Sequence, residues 1–266
     1  MNKIFLSADM EGTAGIAHWD ETESSHPQYA HFARQMSLEA AAACRGALDG
    51  GADEVFIKDG HDSARNIDPE LLPRDVRILR GWARHPYSMM AGLDNTFSGA
   101  FFTGYHSAAS WNTSPLSHTM NRRNNFVTVN GEVCSELMLN CLTASLEGVP
   151  VRLVAGDGGI CRFIQEKVPS VVTVPVSEGM GNASVSIHPA LAVERIEDAA
   201  KRAMDLDGAK CLYPMPDSFH VEINFKEHFD AAGAQYYPGC RRVDTKTVAF
   251  DAREYMDVLK FIYWVL

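Results

Sequence analysis

The sequence predicts an α/β fold: a three-layer αβα arrangement with a largely parallel or mixed sheet, plus a smaller C-terminal α+β domain. Strand and helix signals alternate through the first two-thirds of the chain, as in β-α-β units whose parallel sheet is covered by helices. From about residue 185 the pattern changes to alternating strands and amphipathic helices. We therefore expect one domain over residues 1–184 and a second over residues 185–266.

Apolar runs and their endings define the elements of the first domain. A stripe of apolar residues at helical spacing predicts a helix over 28–48, and Gly50-Gly51 ends it. Asn130-Gly131 predicts a primed turn inside a hairpin over 126–133, and Ser135 is a suitable N-cap for the next helix. A further helix is expected near 160–167. The strands are expected at 4–6, 54–58, 76–79, 99–103, 151–155 and 171–174.

The second domain has fewer and more amphipathic elements. Alternating residues predict half-buried strands over 220–225 and 243–250. Helical patterns cover 189–204, 227–234 and 254–266. The apolar last helix, with Trp264 near its end, suggests a docked or inter-subunit helix, and hence an oligomerisation role for this domain.

Composition excludes several classes of partner. The net charge of −10 argues against nucleic acid or an anionic membrane, and no apolar stretch approaches the length of a membrane span. No secretory signal pattern is visible at the N-terminus. The six cysteines are scattered without Cys-x-x-Cys spacing, which favours reduced thiols in a cytoplasmic protein.

Metal-competent side chains follow several predicted strands. Asp9 and Glu11 end the first strand, and alternate residues of a strand share a face. His61 follows the second strand and His106 follows the strand over 99–103. Ligands gather beyond the carboxyl ends of parallel strands, so we expect these groups to meet there.

Glu136 completes the candidate set. It lies in the first turn of a predicted helix, where the helix dipole favours the ionised carboxylate. Two histidines and three carboxylates suit two divalent ions with one bridging carboxylate. Zinc fits best, and Mn²⁺ or Co²⁺ would fit the same donors.

Each residue also has a purely structural interpretation. The two carboxylates near the N-terminus could cap the following segment in solvent, and each histidine could be an ordinary hydrogen-bonded side chain. Asp157, at another strand end, is better explained by a tight turn because glycines follow it. His118, in a loop of small and polar residues, is either an exposed histidine or a group that stabilises an oxyanion or moves a proton.

Several motifs together make the chain resemble the zinc-dependent D-aminopeptidase family, also known as dipeptide transport protein. Residues 7–12 match the signature Ser-x-Asp-x-Glu-Gly. The other matching segments, in the same order and spacing, are residues 59–61, 90–97, 104–106, 117–120 and 136–140. The C-terminal part matches more loosely.

The resemblance implies a dinuclear zinc site with Asp9, Glu11, His61, His106 and Glu136 as ligands. Asp9 would be the bridge, and His118 would lie near the reacting centre. It further implies hydrolysis of the N-terminal residue of short peptides or amides, with a preference for D-residues. The family forms a decamer whose active sites face an inner chamber.

The resulting hypothesis is metal-assisted amide hydrolysis, with His118 stabilising the oxyanion or protonating the leaving amine. Whether His118 acts as nucleophile or as acid and base stays open at this stage. Two alternatives remain: a dinuclear phosphoesterase, and a peptide-binding component of a transport system. The first lacks an evident phosphate cradle, and the second lacks a visible export signal.

Overall fold

The computed structural model describes residues 1–266 and contains twelve strands and six α-helices. The strands are β1 (Lys3–Ala8), β2 (Glu54–Asp59), β3 (Val76–Leu79), β4 (Gly99–Tyr105), β5 (Asn124–Val129), β6 (Glu132–Val133), β7 (Val151–Asp157), β8 (Val172–Met180), β9 (Ala183–Ser186), β10 (Phe219–Phe225), β11 (Arg241–Arg242) and β12 (Thr247–Ala252). The helices are α1 (Tyr29–Asp49), α2 (Glu136–Leu146), α3 (Gly158–Lys167), α4 (Pro189–Ala203), α5 (His228–Ala234) and α6 (Tyr255–Val265).

The larger sheet has seven strands in the order β3-β2-β1-β4-β7-β8-β9. All neighbours are parallel except β8 and β9, which form an antiparallel pair at one edge. Every residue of β4, the middle strand, is buried, as expected for a parallel strand covered on both faces. The predicted α/β class with a largely parallel, mixed sheet is confirmed.

Helices α1 and α4 cover one face of this sheet. Their apolar residues share a core cluster with the inward residues of β1, β2 and β7. Gly46 lets the two helices approach closely, because a Cβ at that position would lie 2.2 Å from the carbonyl oxygen of Glu197. The other face packs into a second core cluster that includes residues of α2, α3 and α6.

The smaller sheet is antiparallel, with the order β11-β12-β10-β5-β6. Its apolar residues belong to the same core cluster as α2 and α6. Asn130 and Gly131 both have positive φ, of 52° and 81°, as the primed turn between β5 and β6 requires. The predicted hairpin is therefore present.

Sheet membership crosses the predicted boundary at residue 184. Strand β9 spans this boundary and belongs to the larger sheet. Helix α4 follows the boundary and packs in the helical layer that covers that sheet. Strands β5 and β6, which precede it, belong to the smaller sheet, where β5 pairs with β10 and β6 pairs with β5. The division into domains over 1–184 and 185–266 stays a prediction, and the sheets divide the chain differently.

Two local expectations were wrong in extent. The strand expected at 171–174 continues to residue 180 and turns back into β9, which the sequence did not predict. The strand expected over 243–250 begins only at Thr247, because the preceding residues form a turn in which Asp244 accepts hydrogen bonds from two backbone N–H groups. None of the helices is both long and apolar enough to cross a membrane.

The parallel register aligns the carboxyl ends of β1, β2 and β4. Ala8 of β1 pairs with Asp59 on one side and Thr103 on the other. Beyond β1, the N–H groups of Asp9 and Gly12 donate to the carbonyls of Thr103 and Gly104, both at 2.8 Å. Gly104 has φ +70°, and a Cβ there would lie 2.0 Å from the carbonyl oxygen of Asp9. These strand ends are therefore fixed against one another.

Candidate metal centre and active site

The structure brings together all five residues predicted as metal ligands. Asp9 and Glu11 lie in the turn after β1, His61 follows β2, His106 follows β4 and Glu136 begins α2. All five are buried. Ser135 caps α2 by accepting the N–H of Met138 at 3.1 Å, which places Glu136 in the first turn.

The side chains form two groups that share Asp9. In one, Nδ1 of His61 lies 3.0 Å from Oε2 of Glu11 and 3.5 Å from Oδ1 of Asp9. In the other, Nε2 of His106 lies 3.4 Å from Oδ2 of Asp9 and 3.6 Å from Oε1 of Glu136. Within each group the candidate ligand atoms all lie within 4.8 Å of one another, a spacing suited to one metal ion.

The hydrogen bonds of the rings fix which nitrogen faces the carboxylates. Nε2 of His61 lies 2.8 Å from the carbonyl of Thr22, and Nδ1 of His106 lies 2.9 Å from the carbonyl of Ser107. A carbonyl only accepts, so these nitrogens carry the protons. In the neutral rings the opposite nitrogens then present lone pairs to carboxylate oxygens, which is repulsive unless a cation lies between them.

Polar atoms without hydrogen-bond partners also indicate that the cluster requires a cation. Oδ2 of Asp9, Oε2 of Glu11 and Nε2 of His106 are buried and have no hydrogen-bond partner. Buried polar atoms without partners are rare in folded proteins and call for an ion or another ligand. Imidazole and carboxylate donors with carbonyl-anchored rings fit zinc and similar divalent ions.

Without a bound cation, the buried carboxylates and histidines of the cluster shift one another's pKa values strongly. Burial, followed by the neighbouring Glu11 carboxylate, raises the pKa of Asp9 to about 7. Burial opposes charge on His61, but the Glu11 and Asp9 carboxylates together outweigh it and raise the pKa of His61 well above its usual value. Burial likewise opposes ionisation of Glu11, yet His61, with smaller contributions from His118 and His106, holds the pKa of that carboxyl well below its usual value. Without a metal, protons would have to provide the positive charge that these carboxylates need.

His118 lies in the same cluster. Its Nε2 is 3.4 Å from Oε1 of Glu136 and 3.7 Å from Oε1 of Glu11, and its ring stacks on that of His106 at 4.2 Å between centroids. Nδ1 lies 3.0 Å from the carbonyl of Leu116, so Nε2 faces the carboxylates. Burial, together with the His106 charge, lowers the pKa of His118. Glu11, His106 and His118 also form a third group with metal-ligand spacing.

A cavity of about 610 Å³ gives access to the cluster. Asp9, Glu11, His61, His118 and Glu136 line its floor, while Trp19, Trp82 and Trp264 are among its walls. Charged side chains of both signs lie around it: Glu23, Asp62, Arg84 and Arg122. The arrangement can hold a small polar substrate over the candidate metal site.

Comparisons with known proteins identify the family. The model of the D-aminopeptidase family matches residues 2–264. The chain belongs to the D-aminopeptidase family. The family resemblance expected from the sequence motifs is thus confirmed.

One curated relative and one solved structure extend the comparison. The chain is 32% identical to a D-aminopeptidase of Bacillus subtilis (strain 168) over 258 residues, which is 96% of this chain and 93% of that protein. It is similar in structure to the Zn-dependent D-aminopeptidase DppA from Bacillus subtilis, described as a self-compartmentalizing protease. The TM-score is 0.91 at 29% sequence identity, over 99% of this chain and 96% of that one.

Residues around the cluster form hydrogen bonds that hold the loop carrying His61, and the sequence did not predict them. Asp59 accepts hydrogen bonds from Asn66 and Ile67, and the Asn66 amide also donates to the carbonyl of His61 at 2.7 Å. Asn66 in turn accepts a hydrogen bond from Tyr29 at 2.6 Å. In the sequence, only Asp59 stood out, because it lies at the end of a strand. Its partner Asn66 lies in a loop and Tyr29 in a helix, and neither belongs to a recognisable motif.

Asp157 was interpreted as a tight-turn residue rather than a metal ligand. It lies outside the groups with metal-ligand spacing. Instead it caps α3 and accepts hydrogen bonds from the N–H and hydroxyl of Ser107, at 2.5 and 2.8 Å. It therefore fixes the residue that follows His106.

Proposed function

We propose that this protein is a metal-dependent aminopeptidase that hydrolyses the N-terminal residue of short peptides or amides, with a preference for D-residues. The observation that carries the proposal is the buried pair of donor groups sharing Asp9, with unpartnered atoms facing one another at the floor of an open cavity. Membership of the D-aminopeptidase family supports the reaction and the stereochemical preference. Neither the phosphoesterase nor the transport-component alternative has comparable support.

We further propose two zinc ions per subunit. Asp9, Glu11 and His61 would hold one, and Asp9, His106 and Glu136 the other, with Asp9 as the bridge. The spacing within each group and the description of the similar structure as Zn-dependent support this. Bound divalent ions supply Lewis-acid chemistry: they polarise a carbonyl and lower the pKa of water.

His118 then moves the proton. Because its Nδ1–H donates to the carbonyl of Leu116, Nε2 of the neutral ring is free to accept a proton from the attacking water. The same Nε2–H can then be donated to the leaving amine. The lowered pKa of His118 keeps the ring in the accepting form at the start of the cycle.

The oligomeric state is part of the proposal. Exposed aromatic residues lie in the C-terminal part of the chain, among them Phe229, Tyr236 and Trp264. Large exposed apolar side chains are typical of interfaces, and the similar structure is described as self-compartmentalizing. We propose a homo-oligomer, specifically a decamer, in which residues 185–266 contribute contacts, and a cytoplasmic location in keeping with six free cysteines.

The test is a matched set of substrates given to zinc-loaded protein. We expect release of free D-alanine from D-Ala-Gly, slower release of L-alanine from L-Ala-Gly, no hydrolysis of a phosphomonoester, and two zinc ions per chain by metal analysis. Sedimentation would give the mass of the assembly. Tight peptide binding without release of an amino acid would overturn the enzymatic proposal, and faster hydrolysis of the phosphomonoester would replace it.

A further inference from the structure

A second, smaller cavity adjoins the one above the candidate metal centre. Its volume is about 220 Å³, and four residues line both cavities: Ser88, Met120, Asn121 and Tyr263. The two spaces therefore border one another at these residues. The smaller space thus lies beside the position that a substrate over the candidate metal site would occupy.

The walls of the smaller cavity are mostly apolar. Leu139 of α2 and Leu259 and Ile262 of α6 line it, and these three are 3 to 5% exposed. An apolar cavity of about 150 Å³ is large enough to bind benzene. The smaller cavity thus has the size and lining to take an isobutyl, thioether or benzyl side chain.

The junction between the cavities has unusual backbone geometry close to the candidate metal centre. Ser88 and Met120 have φ values of +50° and +64°, in the left-handed region that side chains other than glycine rarely adopt. Such conformations persist where the surrounding structure imposes them, and they cluster at ligand-binding sites. The N–H of Met120 donates to Oε1 of Glu136 at 2.6 Å, so the border between the two cavities lies directly next to a proposed metal ligand.

We propose that the smaller cavity is a substrate side-chain subsite that selects a large apolar residue next to the scissile amide. The inference rests on the proposed aminopeptidase function and goes beyond it by naming the class of side chain. Leucine, methionine and phenylalanine have suitable volume and polarity. Burial of such a side chain would add binding free energy that alanine does not obtain.

Two peptide series test the subsite and locate the residue that fills it. In one, the first residue of D-X-Gly is D-alanine, D-leucine or D-phenylalanine; in the other, the second residue of D-Ala-X varies in the same way. We expect kcat/KM for the large apolar residue to exceed that for alanine by roughly 10-fold or more in one series. The series that responds shows which side of the amide faces the cavity.

Filling the cavity should remove the preference. Ile262→Phe, or Leu259→Phe should the first variant fold poorly, should lower the ratio of kcat/KM for the large residue over alanine by roughly 10-fold. Val185→Phe is the matched control, since Val185 is 61% exposed on β9 and does not line either cavity. Its ratio should equal that of the wild type.

A probe that is not a substrate gives a second readout. Toluene should bind the zinc-loaded wild-type protein, as followed by saturation-transfer NMR, and should inhibit the preferred large-residue peptide competitively. Hydrolysis of D-Ala-Gly without a large-residue preference in either series, or with a preference that both cavity variants keep, would overturn the subsite. Failure to hydrolyse any peptide would instead count against the proposed function itself.

Discussion

At the scale of single residues, the three imidazoles of the cluster share one hydrogen-bonding pattern. Each has one ring nitrogen tied to a backbone carbonyl: His61 to Thr22, His106 to Ser107 and His118 to Leu116. This fixes both the tautomer and the orientation of each ring. His118 and His61 both line the cavity, and His118 is the most exposed of the three rings, at 13%. It is therefore the ring most accessible to a substrate.

His118→Ala should lower kcat by roughly 10²- to 10⁴-fold while leaving zinc content unchanged. The reason is that the variant would lose the group proposed to move the proton, a contribution of about that size for general acid–base catalysis. Turnover of a D-alanyl peptide and metal analysis of the same sample measure the two quantities. His228→Ala, which removes an exposed ring on α5, is the control and should retain turnover.

The metal content separates the two possible roles of His118. Loss of one zinc ion from His118→Ala would make it a ligand, through its group with Glu11 and His106. Full turnover with full zinc content would remove it from the mechanism. Sequence reasoning placed His118 near the centre only through the family resemblance, because its loop has no periodicity that fixes a direction.

The other cluster residues were easier to predict. Asp9, His61 and His106 each follow an apolar run, and parallel strands bring their carboxyl ends to one edge. This prediction requires only the positions of the strands, so it does not depend on the conformation of any loop. It does not identify Asn66 or Ser107, whose contribution depends on contacts between segments far apart in the chain.

At the scale of elements, local signals identified most helices and strands but not their partners. The hairpin of β5 and β6 was expected from its turn, yet its pairing with β10 joins Val127 to Ile223, across nearly a hundred residues. Helix α4 was expected from its pattern, but the pattern did not show that it shares a core cluster with α1. Amphipathic patterns show that a face is buried without showing what covers it.

Helix α1 contributes a buried carboxyl group, Glu39, next to the segment that follows Glu11. Glu39 is 1% exposed; its Oε1 accepts the N–H of Ala14 and the amide of Gln35, both at 3.0 Å, while Oε2 has no partner. The bond to Ala14 fixes the turn that carries Glu11. Burial raises the pKa of Glu39 from 4.5 to about 7.

The free energy of unfolding should therefore depend on pH through Glu39. Between pH 4.5 and 7 the folded state binds this proton more tightly than the unfolded state, so stability falls as pH rises through that window. The shift corresponds to about 3 kcal/mol. Glu39→Gln keeps an oxygen for Ala14 but does not ionise. Its stability relative to the wild type should rise by roughly that amount from pH 4.5 to 8.

Urea unfolding of both proteins at matched zinc saturation measures the difference, because all other titratable groups are the same in the two proteins. Glu194→Gln, exposed on α4, is the control and should change stability by less than about 0.5 kcal/mol. A wild-type minus variant difference that stays constant from pH 4.5 to 8 would show that Glu39 keeps an ordinary pKa in the folded protein.

At the scale of the whole molecule, the cluster lies where the two sheets meet. Four of the five predicted ligands follow strands of the larger sheet, while Glu136 begins α2, directly after the hairpin of the smaller sheet. Helix α6 brings Tyr263 and Trp264 to the cavity wall. Ions bound there would join β1, β2 and β4 to α2, so metal binding and the packing of the two sheets should be coupled.

Removal of zinc should lower the stability of the entire chain. A ligand that binds only the folded state adds about 2.7 kcal/mol at a concentration 100 times its dissociation constant. Its loss also leaves the Asp9, Glu11 and Glu136 carboxylates buried together. We expect dialysis against a chelator to lower the thermal midpoint, and added zinc to restore it.

Hydrogen exchange should locate the effect. Amides at the carboxyl ends of β1, β2 and β4 and in the first turn of α2 should lose protection in the zinc-free protein, while β9 and the distal half of α4 should change little. Asp9→Asn, which removes the shared carboxylate, should no longer respond to added zinc, whereas Asp205→Asn, at an exposed position, should respond like the wild type. An unchanged thermal midpoint after verified removal of zinc would mean that the sheets pack independently of the metal, and that the cluster serves chemistry alone.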